Sequence, residues 1–103
     1  MLKDNIHKRS RLQERRAAND YGGHITPGSG NQWHSKGDVH SDKFIVECKS
    51  TTHASYSLKA ADFLKLYLQS VVENKQPVME IEFAHHNLTL VVQDKRDLFP
   101  VGT

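Results

Sequence analysis

Residues 37–49 read GDVHSDKFIVECK, and the fold turns on how this stretch is interpreted. Phe44, Ile45 and Val46, with Cys48 beyond them, give Lys43 to Lys49 the branched and aromatic character of a strand. Side chains alternate along a strand, so Ile45, Glu47 and Lys49 share one face. Phe44, Val46 and Cys48 share the other, which is the expected core face. Ser41 and Asp42 have turn chemistry. A chain folding back there brings Asp38 beside Glu47, so the segment is expected to be a β-hairpin. It would gather an Asp, a Glu and a Lys at a sheet edge. Charges on a half-buried strand need a partner or a metal, and this trio would make a metal site with an adjacent cation. The same residues could equally form a solvated hairpin with a Glu–Lys surface pair, which contributes little to stability.

The rest of the chain sets bounds on that reading. Its 103 residues allow one domain, 1–103, with one compact core. With 37% hydrophobic and 25% charged residues the composition is that of an ordinary soluble globular protein, not a disordered or fibrous one. No apolar run approaches the roughly 20 residues of a membrane span, and the N-terminus lacks the h-region of a signal peptide. Cys48 is the only cysteine, so no internal disulfide can form. A reducing, cytoplasmic setting is expected, with Cys48 a small buried apolar residue. The net charge of +2 is unevenly spread. Residues 1–20 hold six basic side chains against three acidic ones, and positive charge gathered at one end suggests a polyanion partner. A basic but solvated first helix would leave the same trace.

Met1 to Asn19 reads as a helix with sparse apolar positions at Ile6, Leu12 and Ala18, stopped by Tyr21-Gly22-Gly23. Glu14 lies among arginines. It either pairs with Arg11 on an exposed face or turns towards the hairpin as a third carboxylate. His24-Ile25-Thr26 is a short strand. Pro27 to Asn31 is a Gly/Ser turn whose uncovered amides could let a phosphate approach, or an ordinary connector. Gln32 to Lys36 holds the only tryptophan, Trp33, which could stack on a base or cap the core.

Tyr56 to Gln76 is the clearest helix. Ser57 is its natural N-cap, and pairs from Ala60/Ala61 to Val71/Val72 form an apolar stripe. Pro77 forbids its extension. Val78 to Phe83 and Leu88 to Gln93 alternate as strands around a turn at 84–87. Residues 94–103 are a polar tail whose large apolar residues are Leu98 and Phe99. The seven histidines show no tight ligand spacing, and Cys48 has no partner, so a structural zinc site is not expected. The order helix, three short strands, helix, two strands predicts an α/β fold. A central mixed sheet of about five strands would be flanked by helices, with the site at one edge.

The hairpin resembles the active-site hairpin of the PD-(D/E)xK nuclease superfamily, with Asp38 on one strand and Glu47-Cys48-Lys49 on the next. Within that superfamily the chain looks like the small Holliday-junction resolvases of archaea and phages. Those have a basic N-terminal helix bearing a Glu, a strand, a Ser-Gly loop, the acidic hairpin, then a helix and two strands. Glu14 in RLQERRAANDYGG matches the helix Glu, Ser29-Gly30 the loop, and Ser50-Thr51 follows the hairpin. The likeness covers about residues 9–93. It departs at Gly37, where the superfamily has a proline, and at Asn31, where the resolvases have a second serine.

The resemblance implies a restriction-endonuclease-like core and a metal-dependent endonuclease that cuts branched double-stranded DNA, resolving four-way junctions by paired cuts. Asp38 and Glu47 would hold Mg²⁺ or Mn²⁺, with the Cys48 carbonyl a further ligand and Glu14 completing the shell. Lys49 would orient the attacking water or neutralise phosphate. Arg9, Arg11, Arg15, Arg16 and Lys36 would bind the DNA backbone without reading sequence, with Ser29 and Trp33 nearby on the DNA. A homodimer would supply the two sites that a junction of near two-fold symmetry needs, with Leu98, Phe99 and part of the long helix as its surface. Two other readings use the same residues: another structure-specific or nicking nuclease of the superfamily, and an inactive DNA-binding module.

Overall fold

The computed structural model describes residues 2–26 and 38–100, with side chains from residue 11 onward. Three helices and a five-stranded mixed sheet form an α/β fold. The elements run α1 (Leu2–Tyr21), β1 (His24–Ile25), β2 (Val39–His40), β3 (Phe44–Thr51), α2 (Ala60–Glu73), β4 (Gln76–Phe83), β5 (Leu88–Val92) and α3 (Lys95–Leu98). The strands lie in the order β1-β2-β3-β4-β5. β3 and β4 are parallel, joined by the crossover through α2, and every other neighbouring pair is antiparallel.

The diglycine stop acts as the sequence suggests, two residues past Asn19. Gly22 takes φ +65°. The Gly23 N–H donates to the Ala18 carbonyl at 2.8 Å and the Gly22 N–H to the Asn19 carbonyl at 3.4 Å, a Schellman closure. Gly23 is needed for a second reason. A Cβ there would lie 2.3 Å from the backbone oxygen of His40, so only glycine lets the helix end pass this close to β2.

One face of the sheet packs on α1. Ala17 and Ala18 are small enough to let the helix settle on Val39, Val46 and Val78, all buried, with Tyr21, Ile25, Phe44 and Cys48 at the margin. The Tyr21 ring meets Phe44 edge-on, 5.3 Å between centroids. Phe44, Val46 and Cys48 therefore form a core face, as predicted. The opposite face is also covered. Ile45 is fully buried there, and so are Met79, Ile81 and, from α2, Leu66. Burying each such side chain stabilises the fold by roughly 1.5–3 kcal/mol.

The structure corrects three boundaries. Residues 54–59 are not helical. Helix α2 starts at Ala60 with Lys59 at the cap position and no side-chain cap, so Ser57 is not the N-cap. The chain leaves β3 at one end of the sheet and needs these residues to cross onto the other face. Nor does Pro77 end the helix. Asn74 does, in the left-handed conformation (φ 56°), with the Lys75 N–H donating to Ser70 at 2.8 Å. Pro77 instead lies inside β4. The Gln76 N–H points at β3, bonding the Lys43 carbonyl at 2.7 Å, so position 77 faces the other side. There β5 pairs only from Met79 on, and no ladder bond needs the missing N–H. The tail is not wholly irregular either. Asp94 caps α3 by accepting the Arg96 N–H at 2.8 Å.

Among the described residues no helix is long and apolar enough to cross a membrane.

Candidate active site

The hairpin brings Asp38 alongside the strand that carries Glu47. Val39 pairs with Val46 and His40 with Ile45. Just outside that ladder the Asp38 N–H donates to the Val46 carbonyl at 2.8 Å while its own carbonyl accepts the Thr26 N–H at 2.9 Å, a bulge that sets Asp38 and Val39 together across from Val46. Asp38 also bonds β3 through its side chain. Its Oδ2 accepts the Cys48 N–H at 2.9 Å. That bond covers the first open amide of β3 beyond the end of β2. A residue in an antiparallel ladder turns its N–H and C=O to the same side, so the Cys48 carbonyl faces this open edge as well.

Lys49 lies two positions along β3 on the face of Glu47. Its Nζ is 3.3 Å from Glu47 Oε2. Partial burial works against the ammonium, but Glu47, Tyr56 and Asp38 outweigh it, and the Lys49 pKa is raised. Lys49 thus stays protonated at neutral pH.

Glu14 is turned to the hairpin. Burial, then the charge of Asp38, then that of Glu47 raise its carboxyl above the usual range. It comes from α1, on the sheet face opposite Glu47, within range of the charge of both acids. Among the described residues no three of His, Cys, Asp and Glu close onto a common point as a metal cage. The donor set is nonetheless that of a hard cation. Mg²⁺ typically takes only one or two carboxylates and fills its other positions with water and phosphate oxygens. Asp38 and Glu47 meet that demand, and a dication between them would relieve the repulsion felt by Glu14.

Arg11 and Arg15 are exposed on α1. Arg16 is exposed too, but its Nη2 donates to Glu82 Oε2 at 2.5 Å, and Ser50 Oγ donates to the same carboxylate at 3.4 Å. Arg16 therefore ties α1 to the ends of β3 and β4. Arg9 falls where the side chains are not described, and Ser29, Trp33 and Lys36 lie outside the described residues altogether.

Two residues near the site escape a reading of the sequence. Gln13 is 2% exposed, and its Nε2 donates to the Lys49 carbonyl at 3.0 Å. In sequence it is one more polar helix former among arginines. Tyr56 contributes to the charge environment of Lys49 from the loop before α2, where helical periodicity had placed it in the first turn. Cys48 is half-buried between the acids. Burial, then Asp38, Glu80, Glu14 and Glu47, push its thiol far above the ordinary range, so it is inert as a nucleophile.

The chain was compared with models of known protein families, with curated proteins and with solved structures, and it matches none of them.

Proposed function

We propose that the chain is a metal-dependent endonuclease of the PD-(D/E)xK type, acting on branched DNA and most specifically resolving four-way junctions. The observation that carries this reading is the Asp38 carboxylate bonded to the Cys48 N–H beside Glu47, with Lys49 paired to Glu47 and Glu14 within reach of the charge of both acids. The five-stranded mixed sheet is compatible with the restriction-endonuclease-like core that the resemblance implies.

Asp38 and Glu47 would hold Mg²⁺ or Mn²⁺, the Cys48 carbonyl would serve as a further ligand, and Glu14 would complete the set. When bound, the ion would lower the pKa of water and offset the charge that builds on the phosphate. Everything else falls to the chain. Lys49, kept protonated by Glu47, is suited to neutralising a phosphate oxygen or orienting the attacking water rather than to removing a proton. Arg11 and Arg15 on the exposed side of α1 would bind flanking phosphates without reading sequence, and Arg9, Lys36, Ser29 and Trp33 are proposed DNA-binding residues on the resemblance and the sequence alone.

Paired cuts call for two sites, and we assign them to a homodimer. Helix α2 supports this. Its outward face carries Leu64, Leu68, Val71 and Val72, each more than half exposed, and Leu98 and Phe99 are equally open. Contiguous exposed apolar surface on a small chain marks an interface.

A second reading has an observation of its own. The Glu47–Lys49 pair is partly solvated, with side-chain exposures of 25% and 36%, as a plain surface ion pair would be. In that case the protein binds DNA and cuts nothing. A labelled four-way junction and a matched linear duplex, incubated with Mg²⁺ and with EDTA beside Glu47→Ala, separate the readings. Paired cuts in the junction alone, lost with EDTA and with Glu47→Ala, support the resolvase. Metal-dependent cutting of both substrates makes it a general nuclease. Binding without cutting leaves the inactive module.

A further inference from the structure

We propose that Gln13 is a positioning residue, setting the reach of Glu14 towards Asp38 and Glu47 by bonding helix α1 to the backbone of the strand that carries Glu47 and Lys49. This rests on the metal site proposed above and deepens it.

The argument begins with how α1 is held. Its apolar contact with the sheet is made by Ala17 and Ala18 lying on three valines, and nearer its C-terminal end Arg16 reaches Glu82 and Tyr21 reaches Glu80. Methyl groups on branched side chains make a close but smooth contact. Packing of that kind resists separation far more than it resists roll or slide. A helix advances about 1.5 Å and turns about 100° per residue, so a small slide or roll carries Glu14 off the edge of β3. A directional bond fixes both motions, and for Glu14 the one that counts is made by the residue beside it, since Arg16 and Tyr21 anchor the helix further along.

Gln13 supplies that bond. It is one turn before Ala17 on the buried side of the helix, with 2% of its surface exposed. A buried amide must be hydrogen-bonded, or its desolvation is uncompensated. Its Nε2 reaches the Lys49 carbonyl at 3.0 Å, across 36 residues of sequence. The acceptor is a backbone atom and cannot swing away. The residue that provides it also sends its ammonium to Glu47 at 3.3 Å. One residue of β3 is therefore gripped by α1 through its backbone and by the acidic pair through its side chain. Glu14 follows Gln13 directly, so a helix docked through position 13 presents position 14 sideways, towards the open edge. That is the direction in which its carboxyl senses Asp38 and Glu47.

The test is a double-mutant cycle read in two ways. Gln13→Met keeps the volume and removes the donor. It is combined with Glu14→Gln, and Mn²⁺ affinity is measured by titration calorimetry on DNA-free protein, alongside junction cleavage with Mn²⁺. In the Glu14 background we expect Gln13→Met to weaken Mn²⁺ about three- to tenfold and to slow cleavage about 10- to 100-fold, the scale of a misplacement near 1 Å. In the Glu14→Gln background the same substitution changes either quantity by less than twofold, because the group it positions is gone. Thermal melts of each protein identify any variant that has simply unfolded, and Gln13→Glu or Gln13→Leu then replaces Gln13→Met. Equal losses in both backgrounds would overturn the inference, as would a Gln13→Met protein that matches the parent in affinity and rate. If the parent binds Mn²⁺ but cuts no DNA, the nuclease reading fails and the affinity cycle still decides the role of Gln13. If the parent binds no Mn²⁺, both fall.

Discussion

Asp38 has two separable jobs, and a pair of substitutions pulls them apart. Its charge belongs to the proposed metal site. Its Oδ2, accepting the Cys48 N–H at 2.9 Å, belongs to the architecture, because β2 is two residues long and this bond fastens its outer end to β3. Asparagine keeps a carbonyl oxygen of the same reach and loses the charge. Alanine loses both. Leaving a buried amide without its acceptor costs about 1–3 kcal/mol, and the site is only partly buried, so about 1–2 kcal/mol is appropriate. Either substitution also relieves repulsion on Glu14 and Glu47, which makes each single value hard to interpret. The relief is common to both and cancels in their difference. Asp38→Ala should therefore be less stable than Asp38→Asn by about 1–2 kcal/mol. In urea, with slopes of about 1–3 kcal/mol per molar for small proteins, the midpoints separate by roughly 0.3–2 M. The assay is equilibrium unfolding followed by Trp33 fluorescence and by circular dichroism, in EDTA at pH 7. Coincident midpoints for the two variants would refute the claim that this carboxylate staples the hairpin. Both variants should lose cleavage, since neither presents a charged oxygen.

Other consequences are more quickly stated. Glu14 has a raised carboxyl pKa, so its ionised form is disfavoured in the fold. Its contribution to stability is fully present below the ordinary value of 4.5 and is lost as pH rises through the raised value. Glu14→Gln should accordingly stabilise metal-free protein at pH 7 and leave it unchanged near pH 4, as read by urea midpoints across that range. Gly23→Ala drives a methyl into the His40 carbonyl and should cost about 1–3 kcal/mol, seen as a fall in Tm. Leu66→Ala empties the space between α2 and the sheet, where the side chain is 2% exposed, and should cost about 2–5 kcal/mol by urea unfolding. Arg11→Ala and Arg15→Ala should each weaken DNA binding about equally for any sequence and reduce the salt slope of binding by about one. A slope that does not move would remove those residues from the interface.

The parts of this molecule that were legible in its sequence are those governed by local rules. The hairpin register follows from the Ser41-Asp42 turn and a period of two as far as Val39 and Val46, but the bulge at Asp38 follows from neither. Gly22-Gly23 marked the end of α1 because few other residues adopt the conformation that closes a helix. Where tertiary demands took over, local rules misled. Ser57 has the chemistry of an N-cap, yet the chain is still crossing from one face of the sheet to the other at that point. Pro77 forbids helix, but it does not forbid a strand whose neighbour stops short. Gln13 was invisible for a different reason. Its identity suits an exposed helix position, and only the packing of α1 on β3 makes it a buried donor. Glu80 is similar. It reads as the polar half of an alternating strand, but α1 lies over it, it is 7% exposed, and Tyr21 bonds to it with a hydroxyl raised to about 12 by burial and by Glu80 itself.

The brevity of β2 has a further consequence for how the protein loses its site. Two ladder residues and the bonds around Asp38 hold this strand, whereas β3 and β4 are paired over eight residues. Segments so unequally held do not open together. On warming or in mild denaturant, the strand bearing Asp38 should open while the parallel pair, and the helices on either side of it, remain closed. Hydrogen exchange would register this as early exchange at the amides of Asp38 and Cys48 and late exchange at Ile45 and Val78, whose N–H groups lie in the seam between β3 and β4. The acid that completes the site then resides in the least stable unit of the fold, and a bound cation or phosphate bridging it to Glu47 would act as a clasp on that unit. Ligand would protect a handful of amides at one edge well before it raised the melting temperature of the whole.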